Sequence, residues 1–301
     1  MARPAVTLAP AAAAAEAARA GEGYWQIAWR RLRRHRLAMG GLAVIALLIL
    51  AAVFAPWIAP YRFEQIDLTN RFAPPFVGRH WLGTDDLGHD VFTRLLYAGR
   101  VSLVVGFAAA FSAVALGTLV GVVAGYYGGL LDNVLMRLTD IVLTLPVFGV
   151  LLLLGRYFGG GILPIVVIIG LFGWTVAARL VRGEILRLKT QDFADAARAL
   201  GASETRIIFR HLLPNAMAPI IVAATLDVGG AILTEAALSY FGVGIQPPIP
   251  SWGNMLQNAQ SYLWTDPWLA FWPGLMIFLT VLCFNFFGDG LRDALDPRLK
   301  I

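Results

Sequence analysis

The chain has 301 residues, 58% of them hydrophobic and 14% charged, with a formal net charge of +5 and a mean hydropathy of +0.68. Soluble domains carry about 25% charged residues, so this composition excludes an ordinary water-soluble globule. Nearly all the basic charge is arginine, Lys189 and Lys300 being the two lysines. It falls in clusters between long apolar runs, a distribution that fixes orientation in a membrane and does not build a nucleic-acid-binding face.

Residues 1–23 are rich in Ala and Pro and lack a leucine-rich apolar core, so a disordered tail is expected there and no cleavable signal peptide. Residues 24–301 are read as one transmembrane domain. A spanning helix needs about 20 mostly apolar residues. Six runs qualify: Leu37 to Tyr61, Val101 to Leu131, Leu138 to Leu154, Tyr157 to Ala178, Leu212 to Tyr240 and Pro267 to Gly288. The third carries Asp140 near its start, the fifth is interrupted by Asp227 and Glu235, and the last contains the single cysteine, Cys283. The predicted fold is therefore an all-α membrane protein, a six-span helical bundle with both termini on one side. Placing the N-terminus inside puts 18 of the 24 basic residues in the cytoplasm, as the positive-inside bias requires. That leaves external loops at 58–100 and 242–266 and a long cytoplasmic connection at 179–211.

Within the first external loop, Asp85, Asp86, His89 and Asp90 are metal ligands by type. A structural reading fits better: Thr84 as a helix N-cap, acids favouring the helix start, and an Asp90–Arg94 pair at i,i+4. His80 and His35 are expected to be exposed or interfacial. The second span carries Ala109, Ala113, Gly117, Gly121 and Gly125 at every fourth position, a small-residue ridge against which another helix can pack closely. Gly159, Gly160 and Gly161 mark an outside turn between spans three and four. Trp57, Trp252, Trp264, Trp268 and Trp272 fall near the outer ends, where interfacial anchoring explains them.

The cytoplasmic connection holds a short amphipathic pattern. Thr190 and Asp192 are N-cap candidates, Phe193, Ala196, Ala197 and Leu200 form one apolar helix face, and Gly201 suits the left-handed position that ends a helix. A second short helix is expected from Ser203, with Glu204 in its first turn, ending before Pro214. The apolar face rests on the bilayer or the chain's own bundle, or it docks on a partner. No phosphate-binding loop of the form Gly-x4-Gly-Lys-Ser/Thr is present, because Lys189-Thr190 follows Leu188 and lacks the glycine frame.

In the fifth span, Asp227 and Glu235 lie about 12 Å apart along the helix, with Ala231 between them and Thr234 adjacent, and these four are read as one face. A carboxylate facing lipid costs about 2.5–3.5 kcal/mol, so that face should look into protein or water. Each acid is then either a satisfied structural residue or part of a translocation pathway, where it would attract an ammonium group. Gly229 and Gly230 would let this helix bend.

Asp195-Ala196-Ala197, three residues, Gly201, then Leu213-Pro214 resembles the Glu-Ala-Ala (EAA) motif of permease subunits of binding-protein-dependent ABC importers. Asp195 replaces the glutamate, and His211 stands where isoleucine is usual. Three more stretches are similar to the dipeptide/oligopeptide/nickel group, and most to its second permease chain. They are Leu82 to Arg94 with Gly99 to Leu103, Gln246 to Met255, and Arg292 to Arg298; His89 and Thr93 depart from an arginine and a serine common there. The resemblance covers roughly residues 25–301, the length of the six spans.

It implies a type I importer permease in a prokaryotic cytoplasmic (inner) membrane, importing di- or oligopeptides. Nickel, glutathione or an oligosaccharide are alternatives within the same machinery. The implied partners are a second homologous permease chain, two cytosolic ATPase subunits that carry ATP and Mg, an external substrate-binding protein and membrane lipid, with no cofactor or catalytic residue on this chain. Residues 179–215 would be the coupling segment, with Asp192, Phe193, Asp195, Ala196, Ala197, Leu200 and Gly201 meeting an ATPase. An ATP-independent secondary transporter is the competing class. An intramembrane hydrolase is disfavoured, because no Ser/His pair lies within the spans.

Overall fold

The computed structural model describes residues 24–76 and 78–296; the tail at 1–23 lies outside them. Among the described residues every regular element is helical. Helix α1 (Tyr24–Arg34) is amphipathic, with Ala28 and Leu32 buried and Arg30, Arg33 and Arg34 exposed. His35 then caps α2 (Arg36–Val53), its Nδ1 accepting the Ala38 N–H at 3.1 Å. His35, expected to be exposed or interfacial, is thus a half-buried helix cap. The first span stops at Val53, short of the expected Tyr61, and a single turn with Pro56 follows at Ala55–Ile58.

Helix α3 (Val91–Tyr127) begins ten residues before the expected second span and runs 37 residues. It packs along α6 (Ile162–Leu188), which likewise continues ten residues past the expected Ala178. The small-residue ridge lies in this contact: a Cβ on Gly121 would stand 2.6 Å from the Ala178 carbonyl oxygen and 2.8 Å from the Val181 Cβ. The ridge is therefore occupied by the chain's own fourth span.

The expected third span, 138–154, is broken. Helices α4 (Gly129–Thr144) and α5 (Val147–Phe158) meet at an angle of 83°. Pro146 explains the break. A residue before proline is pushed out of the helical region, and Leu145 sits extended at φ −70°, ψ 145°. The pair still carries the chain across. At one end Asp132 bonds Arg182 near the cytoplasmic end of α6 (2.5 Å), and at the other Gly155 and Gly160 pack against Val243 and Gly244. Gly159, at φ +80°, makes the turn into α6.

A short helix α7 (Asp192–Ala199) follows, then Glu204–Ile207, one wide π turn at Ile208–Leu212, and α8 (Leu213–Tyr240). The last three form one continuous helix, Glu204–Tyr240. Helix α9 (Trp252–Ala259) folds back into the outer end of the bundle, and α10 (Trp268–Leu295) closes it. Five helices are long and apolar enough to cross a membrane, and the bent pair makes the sixth crossing. Both ends of the described chain meet at one face: Arg31 donates to the Asp296 carbonyl at 2.9 Å, and Gly290 packs on Ala38 and His35.

Candidate functional site

The sequence places the coupling segment on α7, and the backbone there differs in detail from expectation. Gln191, extended at φ −91°, ψ 152°, is the N-cap and makes no side-chain cap bond. Thr190 instead finishes α6, its hydroxyl donating to the Arg187 carbonyl at 3.0 Å. Asp192 is the first helical residue; with Asp195 it places two carboxylates on the first turn, where the helix dipole favours them. At the other end Gly201 takes φ +75°, the Gly201 N–H donates to Arg198 O (2.9 Å), and the Ala202 N–H donates to Ala197 O (3.0 Å). That is the left-handed closure its glycine foretold.

The apolar face splits. Ala194 and Ala197 are buried against the chain's own bundle, and Phe193 is half-buried against the same cluster with Ile207, Ile208 and Leu212. Ala196 is exposed and Leu200 is 89% exposed, on the outward side with Asp192 and Asp195. An eight-residue helix has barely two turns, so Ala194 and Ala197 at i,i+3 share its packed side while Ala196 and Ala199, at the same spacing, lie on the exposed side. Arg198 stiffens the segment: it donates to Asp195 Oδ1 at 2.5 Å and to the Lys189 carbonyl at 3.0 Å.

Ser203 caps the next helix as expected, accepting the Arg206 N–H at 3.4 Å. That helix does not end before Pro214, however; it passes through the π turn into α8. A proline ring clashes with the carbonyl four residues back in an unbroken α-helix, and the wider turn relieves that clash. His211 is half-buried, and its carbonyl accepts the Asn215 side-chain amide at 2.6 Å.

The four pathway candidates do not share one environment. Glu235 is fully buried and accepts from Ser102 Oγ (3.0 Å) on α3 and Ser239 Oγ (2.7 Å) on α8. Ser102 Oγ in turn accepts the Trp252 N–H (3.2 Å), and Ser239 Oγ the Ile245 N–H (3.0 Å). Ala231 packs in the core with Val105, Ala109 and Leu238. Thr234 is half-buried and donates back to the Gly230 carbonyl at 2.8 Å. Asp227 alone of the four lines a cavity of about 930 Å³ at the cytoplasmic side. Eight residues turn an α-helix by about 80° beyond two full revolutions, which separates the two acids.

The network around Glu235 also explains Trp252. Expected at the interface, it is buried at 2% exposure, and its indole N–H donates to the Leu95 carbonyl at 3.2 Å. A Ser251–Asn254 capping box starts α9, and residues 251–254 are all buried.

In the external loop the helix starts later than expected. Asp90 is the N-cap of α3, accepting the Thr93 N–H at 2.8 Å. Thr84 is instead buried in the loop, accepting the Ala73 N–H and donating to the Asn70 carbonyl. Asp90 pairs with His80 (2.9 Å), not Arg94, so His80 is a bonded residue. Arg94 reaches Asp85 at 3.1 Å, and His89 Nδ1 lies 2.8 Å from the same carboxylate. Burial alone would raise the Asp85 carboxyl; the His89 hydrogen bonds and the His89 and Arg94 charges outweigh it and hold the group below its ordinary 3.8. These acids are thus engaged by backbone, histidine and arginine. Among the described residues no group of three or more His, Cys, Asp or Glu could hold a metal ion.

A six-crossing helical bundle with a short cytoplasmic helix between its fourth and fifth long spans defines a multi-pass membrane transport permease. The chain belongs to the family of binding-protein-dependent transport system inner membrane components, whose model matches residues 117–301; the N-terminal transmembrane domain of oligopeptide transport permease C matches residues 23–75. It is 42% identical over 276 residues to the dipeptide transport system permease protein DppC of Alkalihalophilus pseudofirmus, covering 92% of this chain and 90% of that one. It is 44% identical over 279 residues to the glutathione transport system permease protein GsiD of Escherichia coli, covering 92% and 91%. A chain of the inward-facing MetNI methionine ABC transporter has the same fold, with a TM-score of 0.53 at 20% identity, covering 67% of this chain and 96% of that one.

Proposed function

We propose that this chain and a second homologous permease chain form a pathway for inward transport of di- and oligopeptides by alternating access. Two cytosolic ATPase subunits bind ATP and Mg, an external substrate-binding protein delivers the peptide, and this chain supplies no catalytic residue. The relatives support the substrate class: proteins similar over nine-tenths of this chain carry names for dipeptide and glutathione transport, and both solutes are built on peptide bonds. ATP binding draws the ATPase subunits together, and that motion reaches the bundle through α7.

The observation that carries the coupling role is the two-sided build of α7. Ala194 and Ala197 seat it on the bundle, while Leu200 and Ala196 stand exposed beside Asp192 and Asp195. Leu200, 89% exposed at the tip of a cytoplasmic helix whose other side is already packed, is free to enter a groove on another chain. Gly201, in its left-handed turn, holds that tip in place. Of the four intramembrane candidates, Asp227 is assigned to the pathway and Glu235 to holding the outer end of the bundle together.

Substitution separates the two sides of α7. Leu200→Asp should leave the chain folded in the membrane yet lower transport-coupled ATP hydrolysis by about tenfold or more, the loss expected of an interface anchor. Ala197→Asp should instead destabilise the chain itself, because it buries a charge against its own helices. Native coupling in Leu200→Asp vesicles would reject α7 as the coupling element.

A further inference from the structure

We infer that the cytoplasmic cavity between α6 and α8 is a binding site for a primary ammonium group, the free amino end of a peptide-like solute, with Asp227 as its anion. The inference rests on the importer reading above and gives its pathway one specific contact.

The cavity is open on one side and measures about 930 Å³, within the roughly 300–1,000 Å³ of sites that take small organic ligands. Its long walls are apolar stretches of α6 and α8, and Trp25 of α1 adds an aromatic ring. Of its charged groups, Glu184 and Arg187 bond one another, and Arg292 and Asp296 stand at the cytoplasmic end of α10. Asp227 is different. It sits near the midpoint of the apolar stretch Leu213–Tyr240, half-buried, and no hydrogen bond or ion pair engages its carboxylate among the described residues.

Glu235 shows what a structural acid looks like on the same helix: enclosed on all sides and bonded by two hydroxyls. Asp227 has neither the enclosure nor the donors, and it opens onto this cavity. Acids within membrane spans pair with one another or with backbone, or they mark a substrate path. With no partner among the described residues of its own chain, Asp227 is read as a member of the last group. An ammonium ion is its complement: a compact cation with three donors, forming a charge-assisted hydrogen bond that strengthens where water is scarce.

The test uses the assembled complex of both permease chains and the ATPase subunits in nanodiscs, without the external binding protein, so that only the permease is probed. Radiolabelled trialanine is bound at equilibrium and competed with N-acetyl-trialanine. The native complex should prefer the free amine by about tenfold, the weight of one charge-assisted hydrogen bond. Asp227→Asn should shrink that preference to about twofold or less, and Asp227→Glu should keep most of it.

An unchanged preference in Asp227→Asn overturns the inference, as does a native complex that ignores the amine. Failure of Asp227→Asn to assemble with the second permease chain overturns it too, by making Asp227 a contact between chains. The substrate reading is checked separately, by ATP-driven uptake of trialanine into proteoliposomes with the binding protein present. Uptake that proceeds equally in Asp227→Asn sinks the inference alone, whereas absence of peptide uptake by the native complex sinks the peptide reading.

Discussion

Glu235 and Asp227 are the same chemistry at two depths of one helix, and their surroundings give them different work. Glu235 receives Ser102 from α3 and Ser239 from its own helix, and Ser102 receives the first backbone N–H of α9. Three helices are thereby tied at one carboxylate. Removing it leaves buried hydroxyls unpaired, each costing about 1–3 kcal/mol. Glu235→Ala should therefore lower the thermal unfolding midpoint of the purified complex markedly, and Glu235→Gln much less, because an amide oxygen still accepts. Equal midpoints for Glu235→Ala and the native chain would show that the network holds nothing. The packing of Trp252 against Gly99, and its indole bond to Leu95, belong to the same joint.

At the scale of elements, spacing between α3 and α6 is set by glycine. A Cβ at Gly121 would meet backbone, the Ala178 carbonyl oxygen at 2.6 Å and Arg182 N at 2.9 Å, and backbone cannot swing aside as a side chain can. Overpacking of this kind costs about 1–3 kcal/mol, set against a helix-propensity gain of about 1 kcal/mol for replacing glycine by alanine. Gly121→Ala should lower thermal stability in detergent. Gly40→Ala, where an added Cβ meets nothing within 4 Å, should leave it unchanged or raise it. A common shift in both variants would mean that the ridge does not set the helix spacing. The bent α4–α5 pair makes the complementary point: hydropathy carries the chain through Leu145–Pro146, but proline decides where the helix breaks.

The molecule as a whole presents two ends with different contents. The end that gathers both ends of the described residues also holds α7, the large cavity and most of the described arginines; the other holds the His80 and His89 contacts and the buried α9. The charge bias makes the first of these cytoplasmic. The chain's single cysteine, Cys283, is buried, so introduced cysteines can report the topology directly. In vesicles stripped of the ATPase subunits, which would otherwise cover this position, Leu200→Cys should react with an impermeant maleimide only when the vesicles are inside-out. Trp264→Cys, at a position 95% exposed, should react in right-side-out spheroplasts. The opposite pattern would invert the orientation.

What the sequence determined by itself is whatever depends on one residue's type and its near neighbours. Apolar run length marked the crossings, arginine clusters gave their direction, Gly201 ended α7, Ser203 began the next helix, and the four-residue spacing of small side chains announced a close helix contact. The motif from Asp195 to Pro214 marked the segment that is proposed to couple to the ATPase subunits. Only the tertiary structure decided which side of α7 is taken, that Glu235 is bonded while Asp227 opens on a cavity, that Trp252 is core and not interface, and that Asp90, not Thr84, starts α3. The reason is common to all four. Each depends on what a distant segment brings alongside: Ser102 for Glu235, Leu95 for Trp252, the Ile207–Leu212 turn for Ala197, and the folded loop at Asn70 and Ala73 for Thr84. A helical period fixes the angle between two side chains, and packing fixes what each of them faces.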